Sequence, residues 1–181
     1  MRSGVDGHGP AQGNPVSTLS AGIGTALAFP FGPGLIPLLI PWMITHWQAG
    51  APYPLAVRTA GLVLIVAGGI LTVATFARFV TEGRGTPFPT DPPTSRKVMV
   101  GGPYRYVRNP MYVGFILAIV GQAFWLSRPV LFIYTLALLV FLVAFVHFWE
   151  ERTMAKRYGA EYESYCKEVP GWWPRWLRRT S

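Results

Sequence analysis

Apolar residues fall into four runs along the chain, with polar residues gathered in the gaps between them. The first run, Leu19 to Ile44, has no charged residue but contains Pro30, Pro33, Pro37 and Pro41. Proline removes backbone hydrogen bonds, so this span is expected to be kinked or broken and packed on its neighbours. It reads as one crossing, with a short hairpin inside the membrane as the alternative. Leu55 to Val80 is long enough, at about 1.5 Å per residue, to span a hydrocarbon core of about 30 Å. Its only charges, Arg58 and Arg78, lie near its ends, where a long side chain snorkels to the interface. Met111 to Leu126 is shorter, about 24 Å as a helix, and is expected to lie partly inside the bundle. Ser127-Arg128-Pro129 predicts a tight turn, with Ser127 as N-cap and proline in the first turn of the next helix. Pro129 to Trp149 is the fourth run. The pattern predicts an all-α fold, a polytopic transmembrane helix bundle of about four spans (19–44, 55–80, 111–126 and 129–149).

The flanks read differently. Residues 1–18 are rich in Gly, Pro, Ser and Asn without apolar period and predict a disordered tail. They lack the basic start and short apolar centre of a cleaved signal. Residues 19–181 read as a single transmembrane domain. Beyond Trp149 the helix is expected to run on into solvent. There Met154, Tyr158, Tyr162, Tyr165 and Val169 recur at helical spacing between charged residues, an interfacial amphipathic pattern. Trp172, Trp173 and Trp176 among Arg175, Arg178 and Arg179 suit the headgroup layer. Residues 152–176 are thus expected to lie on the membrane face or close over a site.

Charge placement orients this bundle. Only 13% of the 181 residues are charged, against about 25% in a soluble domain. The net charge of +8 could suggest nucleic acid, but its distribution argues otherwise. Five basic residues (Arg84, Arg96, Lys97, Arg105, Arg108) lie between the second and third runs, and seven more (Arg152, Lys156, Arg157, Lys167, Arg175, Arg178, Arg179) follow the fourth. Basic loops on one side of a membrane are the positive-inside pattern. Four crossings would place both termini on that cytoplasmic side, and the Gly, Ala and Pro content suggests a bacterial inner membrane. The lone Cys166 excludes an internal disulfide and a cysteine-built zinc site.

Two clusters carry candidate chemistry. Gly101 to Gly114 packs glycines, prolines, arginines and tyrosines into the start of a helix. Gly101 and Gly102 let backbone approach a ligand, Pro110 begins the helix, and Arg105 and Arg108 can hold a carboxylate or phosphate. An interfacial anchor of tyrosines and arginines reads the same residues equally well. The second cluster is His147-Phe148-Trp149-Glu150-Glu151. His147, Glu150 and Glu151 share a helix face at i, i+3 and i+4. Two carboxylates at a helix C-terminus oppose the helix dipole, so a cation should compensate them. Arg105 or Arg108 could do so structurally, or a cationic ligand functionally. One His and two Glu at this spacing do not make a standard metal triad, so no metal is expected. Gly83-Arg84-Gly85 reads as a turn, Arg78 as a snorkelling anchor, and Gln122 as a bond to a neighbouring helix.

With these residues in view, Gly102-Pro-Tyr-Arg-Tyr-Val-Arg-Asn-Pro-Met-Tyr-Val-Gly114 resembles the signature of the isoprenylcysteine carboxyl methyltransferase and phospholipid (phosphatidylethanolamine) methyltransferase superfamily of integral membrane methyltransferases. So does Glu150-Glu151 followed by Arg157-Tyr-Gly159, Glu161-Tyr162, Tyr165 and Val169-Pro170. The resemblance covers about residues 80–176. It implies S-adenosyl-L-methionine as methyl donor, with Gly102, Tyr104, Arg105, Arg108, Asn109, Tyr112, His147, Glu150 and Glu151 lining its pocket and the segment from Tyr158 to Trp176 closing it. Arg108, Glu151 and His147 are the expected catalytic residues. The acceptor it implies is lipidic or a small hydrophobic molecule, an isoprenylcysteine-type carboxylate or a phospholipid amine, drawn from the membrane.

Arg108-Asn109-Pro110 departs from the Arg-His-Pro of the carboxyl methyltransferases and lies closer to the phosphatidylethanolamine pattern. A carboxylate attacks as it stands, whereas an ammonium must first lose a proton; His147 or a glutamate could take it. Two rival readings stand beside this one. A sterol-reductase-like enzyme using NADPH has a similar C-terminal pattern but needs more helices ahead of it. A non-catalytic membrane scaffold would keep the fold alone.

Overall fold

The computed structural model of the chain describes residues 30–81 and 101–174. The tail 1–18, the start of the first apolar run, the Gly83–Gly85 turn, and Trp176 with Arg175, Arg178 and Arg179 lie outside the described residues. Within them the chain is helical. A π-helical stretch, Pro30–Leu39, continues as α1, Ile40–Thr45. Then come α2, Leu55–Thr81, a 3-10 turn at Gly102–Arg105, α3, Pro110–Trp125, and α4, Val130–Phe145. A second π-helical stretch, Val146–Glu150, carries α4 into α5, Glu151–Tyr158, and α6, Ala160–Glu168, follows.

Among the described residues two helical stretches are long and apolar enough to cross a bilayer, Leu55–Arg78 and Val130–Lys156. The apolar helices Gly34–Thr45 and Pro110–Trp125 are shorter. Of the expected four spans, 55–80 and 129–149 match helices of full length and 111–126 falls short of a core of about 30 Å, while 19–44 is described only from Pro30 on. The fourth helix does run on past Trp149, as expected. The amphipathic segment beyond it is not one helix, however. Gly159, at φ +54° and ψ −131°, breaks it into α5 and α6, in a conformation that side chains rarely adopt. Tyr165 and Val169 are nevertheless buried, and Met154, Tyr158 and Tyr162 half-buried, so the helical spacing did mark the inward face.

The prolines of the first run explain its wide turn. Pro41 has no N–H, which orphans the Pro37 carbonyl four residues back and, in π register, the Ile36 carbonyl five back. Both are satisfied from neighbouring helices: Gln122 Nε2 of α3 donates to Pro37 O at 2.8 Å, and the Tyr134 hydroxyl of α4 to Ile36 O at 2.9 Å. Backbone groups in hydrocarbon need such partners, and Gln122 is the interhelical bond its sequence context predicted.

α2 and α3 pack antiparallel through glycines. A Cβ on Gly61 would lie 2.7 Å from the Gly121 carbonyl oxygen, and one on Gly68 2.5 Å from that of Gly114. Small residues let membrane helices approach to backbone contact. At the end of the bundle away from the 3-10 turn, Gly50 N–H donates to Leu126 O and Arg128 Nε to Gln48 O, both at 2.8 Å. Ser127 does not cap α4. It lies at φ +52°, the N-cap is Pro129, and the Ser127 hydroxyl instead accepts the Tyr53 N–H at 2.9 Å.

Adjacent glycines provide the test. Gly68→Ala is expected to destabilise the protein by about 1–3 kcal/mol through overpacking. Gly69→Ala, which meets nothing within 4 Å, should instead stabilise by up to about 1 kcal/mol through helix propensity. Denaturant unfolding in detergent reads both, and equal effects would refute the packing account.

Candidate functional site

Because α3 and α4 run antiparallel, the turn before α3 and the end of α4 meet at one end of the bundle. The chain enters through Gly102, at φ +59°. A Cβ there would lie 2.7 Å from Arg78 Nε, so Arg78 of α2 packs on the turn instead of merely reaching for the interface. The 3-10 turn then buries Val107, and Pro110 opens α3.

Arg108 joins three segments. Its Nη1 lies 3.0 Å from Glu151 Oε1 at the start of α5 and 2.7 Å from Cys166 Sγ on α6. Its backbone N–H donates to Pro170 O at 2.9 Å, and the N–H of Asn109 to Gly171 O at 3.2 Å. Burial opposes the guanidinium charge, yet Cys166, Glu151 and Tyr162 around it hold its pKa above the ordinary value. Burial, then Cys166, pushes the Tyr162 hydroxyl up, and burial pushes Tyr165 up. Both phenols therefore stay protonated donors at neutral pH. Tyr165 uses its proton on Tyr104 O at 2.8 Å.

The two carboxylates have different partners. Glu151 bridges Arg108 and His147, whose Nδ1 lies 3.5 Å from Glu151 Oε2 while its side chain is 68% exposed. Glu150 Oε2 accepts the Tyr112 hydroxyl at 3.1 Å. Among the described residues no basic side chain pairs with Glu150. The π-helical stretch matters here: its turn is wider than an α-turn, and it ends at Glu150, where both carboxylates face groups of the α3 entrance.

The structure thus brings together Tyr104, Arg108, Asn109, Tyr112, Glu150, Glu151 and, at the edge, His147, while Gly102 packs on Arg78. Arg105 is exposed at the end of the 3-10 turn and stands outside the cluster. Of the two arginines, Arg108 is the one that compensates a glutamate. The sequence reading passed over Cys166, which shares a helix face with Tyr162 at i, i+4; that spacing was its only signal. It also assigned Trp172 to the headgroup layer. Trp172 instead stacks on Tyr112, ring centroids 6.4 Å apart and planes inclined by 26°.

A family model described as phospholipid methyltransferase matches residues 57–161, more than half of the chain. No curated protein sequence matches it. Among solved structures, a eukaryotic intramembrane Ras methyltransferase, isoprenylcysteine carboxyl methyltransferase, superposes with a TM-score of 0.55 at 21% identity. The match covers 84% of this chain and 49% of that one, so the chain spans about half the length of that protein, and the likeness is one of fold.

The Arg108–Glu151 contact is open to a double-mutant cycle. Arg108→Ala and Glu151→Ala, singly and together, are expected to show a coupling of about 0.5–3 kcal/mol in detergent unfolding. Strict additivity would mean that the two side chains do not stabilise one another.

Proposed function

Because this chain belongs to the phospholipid methyltransferase family and is an integral membrane protein, we propose that it transfers a methyl group from S-adenosylmethionine to a lipidic or small hydrophobic acceptor at the cytoplasmic membrane face. The observation that carries this reading is Glu150. It is a carboxylate at the end of the π-helical stretch that joins α4 to α5, next to a second one. It has a phenol for a partner and, among the described residues, no basic side chain. Such a group suits a cationic ligand, and the methyl donor is a cation.

The residues present fit that donor. Glu150 and Tyr112 would hold its cationic part, and Gly102, Tyr104, Asn109, Glu151 and Arg108 would line the remainder, with Arg105 and His147 at the rim. When bound, S-adenosylmethionine supplies an electrophilic methyl group, whose in-line displacement asks for alignment and exclusion of water. Arg108 gives alignment by fixing Glu151 and the start of α3 together. The segment 169–172, hydrogen-bonded to the backbone of Arg108 and Asn109, gives exclusion.

In this reading His147 would move the proton. An imidazole whose Nδ1 faces a carboxylate keeps Nε2 as acceptor, and the ring is exposed beside the site. For an amine acceptor it would take the ammonium proton before attack; a carboxylate acceptor would not need it. The basic segments beside this end of the bundle support a cytoplasmic orientation, with a bacterial inner membrane as the proposed setting.

Two measurements test the reading. S-adenosylhomocysteine at about 100 times its Kd should stabilise the detergent-solubilised protein by about 2.7 kcal/mol, and Glu151→Ala or Arg108→Ala should abolish this shift. Stabilisation by NADPH alone would overturn the proposal. In a labelled-methyl assay across a lipid panel, His147→Gln should slow transfer to amines by about 10²–10⁴-fold and leave S-adenosylhomocysteine binding intact. An unchanged rate would remove His147 from the chemistry.

A further inference from the structure

The inward faces of α3 and α4 form an apolar seam that leads away from Glu150. Leu138 and Leu142 of α4 and Val146 of the π-helical stretch after it lie at successive i+4 positions and are buried, and Glu150 is the next position in that series. Opposite them on α3 stand Tyr112, Ile116 and Ile119, and Tyr112 closes the seam by its hydrogen bond to Glu150. A hydrophobic acceptor whose reacting end is to reach Glu150 and Tyr112 from the bilayer has this seam as its apolar approach.

Trp172 occupies it. The indole packs against the cluster of Ile119, Leu138 and Leu142 as well as stacking on Tyr112. Its neighbour Trp173 is 74% exposed, so of two adjacent tryptophans one is inserted and one is not. The insertion is imposed by the backbone. The carbonyls of Pro170 and Gly171 are held by the amides of Arg108 and Asn109. Gly171 also sits close under Arg108, where a Cβ would lie 3.4 Å from Nη2. These contacts fix the two residues before Trp172 and aim its ring into the seam.

We propose that Trp172 is a specificity-determining residue: its indole fills the α3–α4 seam beside Tyr112 and limits the bulk of hydrocarbon chain that can lie there. This rests on the methyltransferase reading for what the seam serves. Its physical content is independent of that reading: the ring takes space that a lipid chain would otherwise enter. A Trp side chain buries on the order of 150–250 Å², comparable to several methylenes of an acyl chain, so its removal opens a slot of chain width.

The test uses the full-length protein in nanodiscs containing a phosphatidylethanolamine with a photoactivatable diazirine in its acyl chain. Cross-links are mapped by mass spectrometry. Trp172→Ala should raise labelling of the seam residues Ile116, Ile119, Leu138 and Leu142 several-fold over the wild type. Trp172→Phe, which keeps a ring on Tyr112, should give a smaller rise, and Trp173→Ala none. Unchanged seam labelling in Trp172→Ala would overturn the proposal, as would an equal rise in Trp173→Ala, which would mark general loosening. Should Trp172→Ala fail to fold, the same comparison between Trp172→Phe and Trp173→Ala decides. Stabilisation by S-adenosylhomocysteine is measured on the same samples. Its absence in the wild type would overturn the methyltransferase reading while the labelling still decides what Trp172 excludes.

Discussion

A guanidinium half-buried at a membrane face is stable only where carboxylates and polarisable groups surround it, because desolvation alone would expel the charge. Arg108 meets that condition with Glu151 and Cys166, and in doing so it fixes three parts of the chain against one another. The start of α3, the junction of α4 with α5, and α6 converge on one side chain. The backbone of the same residue carries the next link, through the Pro170 carbonyl. The position of Glu150 beside Tyr112, the insertion of Trp172 and the enclosure of the site all follow from that convergence.

The rest of the bundle is held by a different rule. In hydrocarbon, apolar contact between helices gains little over contact with lipid, so association depends on close packing and on hydrogen bonds. The Gly61–Gly121 and Gly68–Gly114 contacts bring α2 to the backbone of α3. Gln122 and Tyr134 tie the proline-rich stretch to α3 and α4 through the carbonyls that Pro41 orphans. Rigidity at this level lets the ends of α3 and α4 present a site at fixed spacing, since neither helix end is braced by a soluble domain among the described residues.

Much of this was legible in the residues themselves. The run Leu55 to Val80 coincides with α2 almost to the residue, because uninterrupted apolar composition has few alternatives in a membrane. The two clusters were legible for the same reason, as polar residues concentrated at apolar helix ends. What was not legible depended on distance along the chain. Arg105 and Arg108 are alike in sequence, and only the 3-10 turn decides that one faces solvent and the other Glu151. Ser127 has the chemistry of an N-cap, but a backbone amide 74 positions earlier takes its hydroxyl. Gly159 was visible as a glycine; the regular spacing of tyrosines around it concealed a break that keeps their face but not their axis.

The division of labour between the adjacent glutamates bears on what the α4–α5 junction is built for. Two adjacent carboxylates repel one another, and a purely structural solution would pair each with a cation. The chain pairs one. Glu151 lies between Arg108 and His147, whereas Glu150 is left with the Tyr112 phenol. A phenol donates a hydrogen bond but does not cancel charge, so Glu150 is the carboxylate left without a cation among the described residues. Under the proposed reading a cationic methyl donor supplies one. Binding energy is then drawn from a mismatch that the fold maintains, and a neutral product that has lost its sulfonium charge is held less tightly than the donor. Under the same reading, an ammonium acceptor must surrender its proton to His147 before its nitrogen can attack.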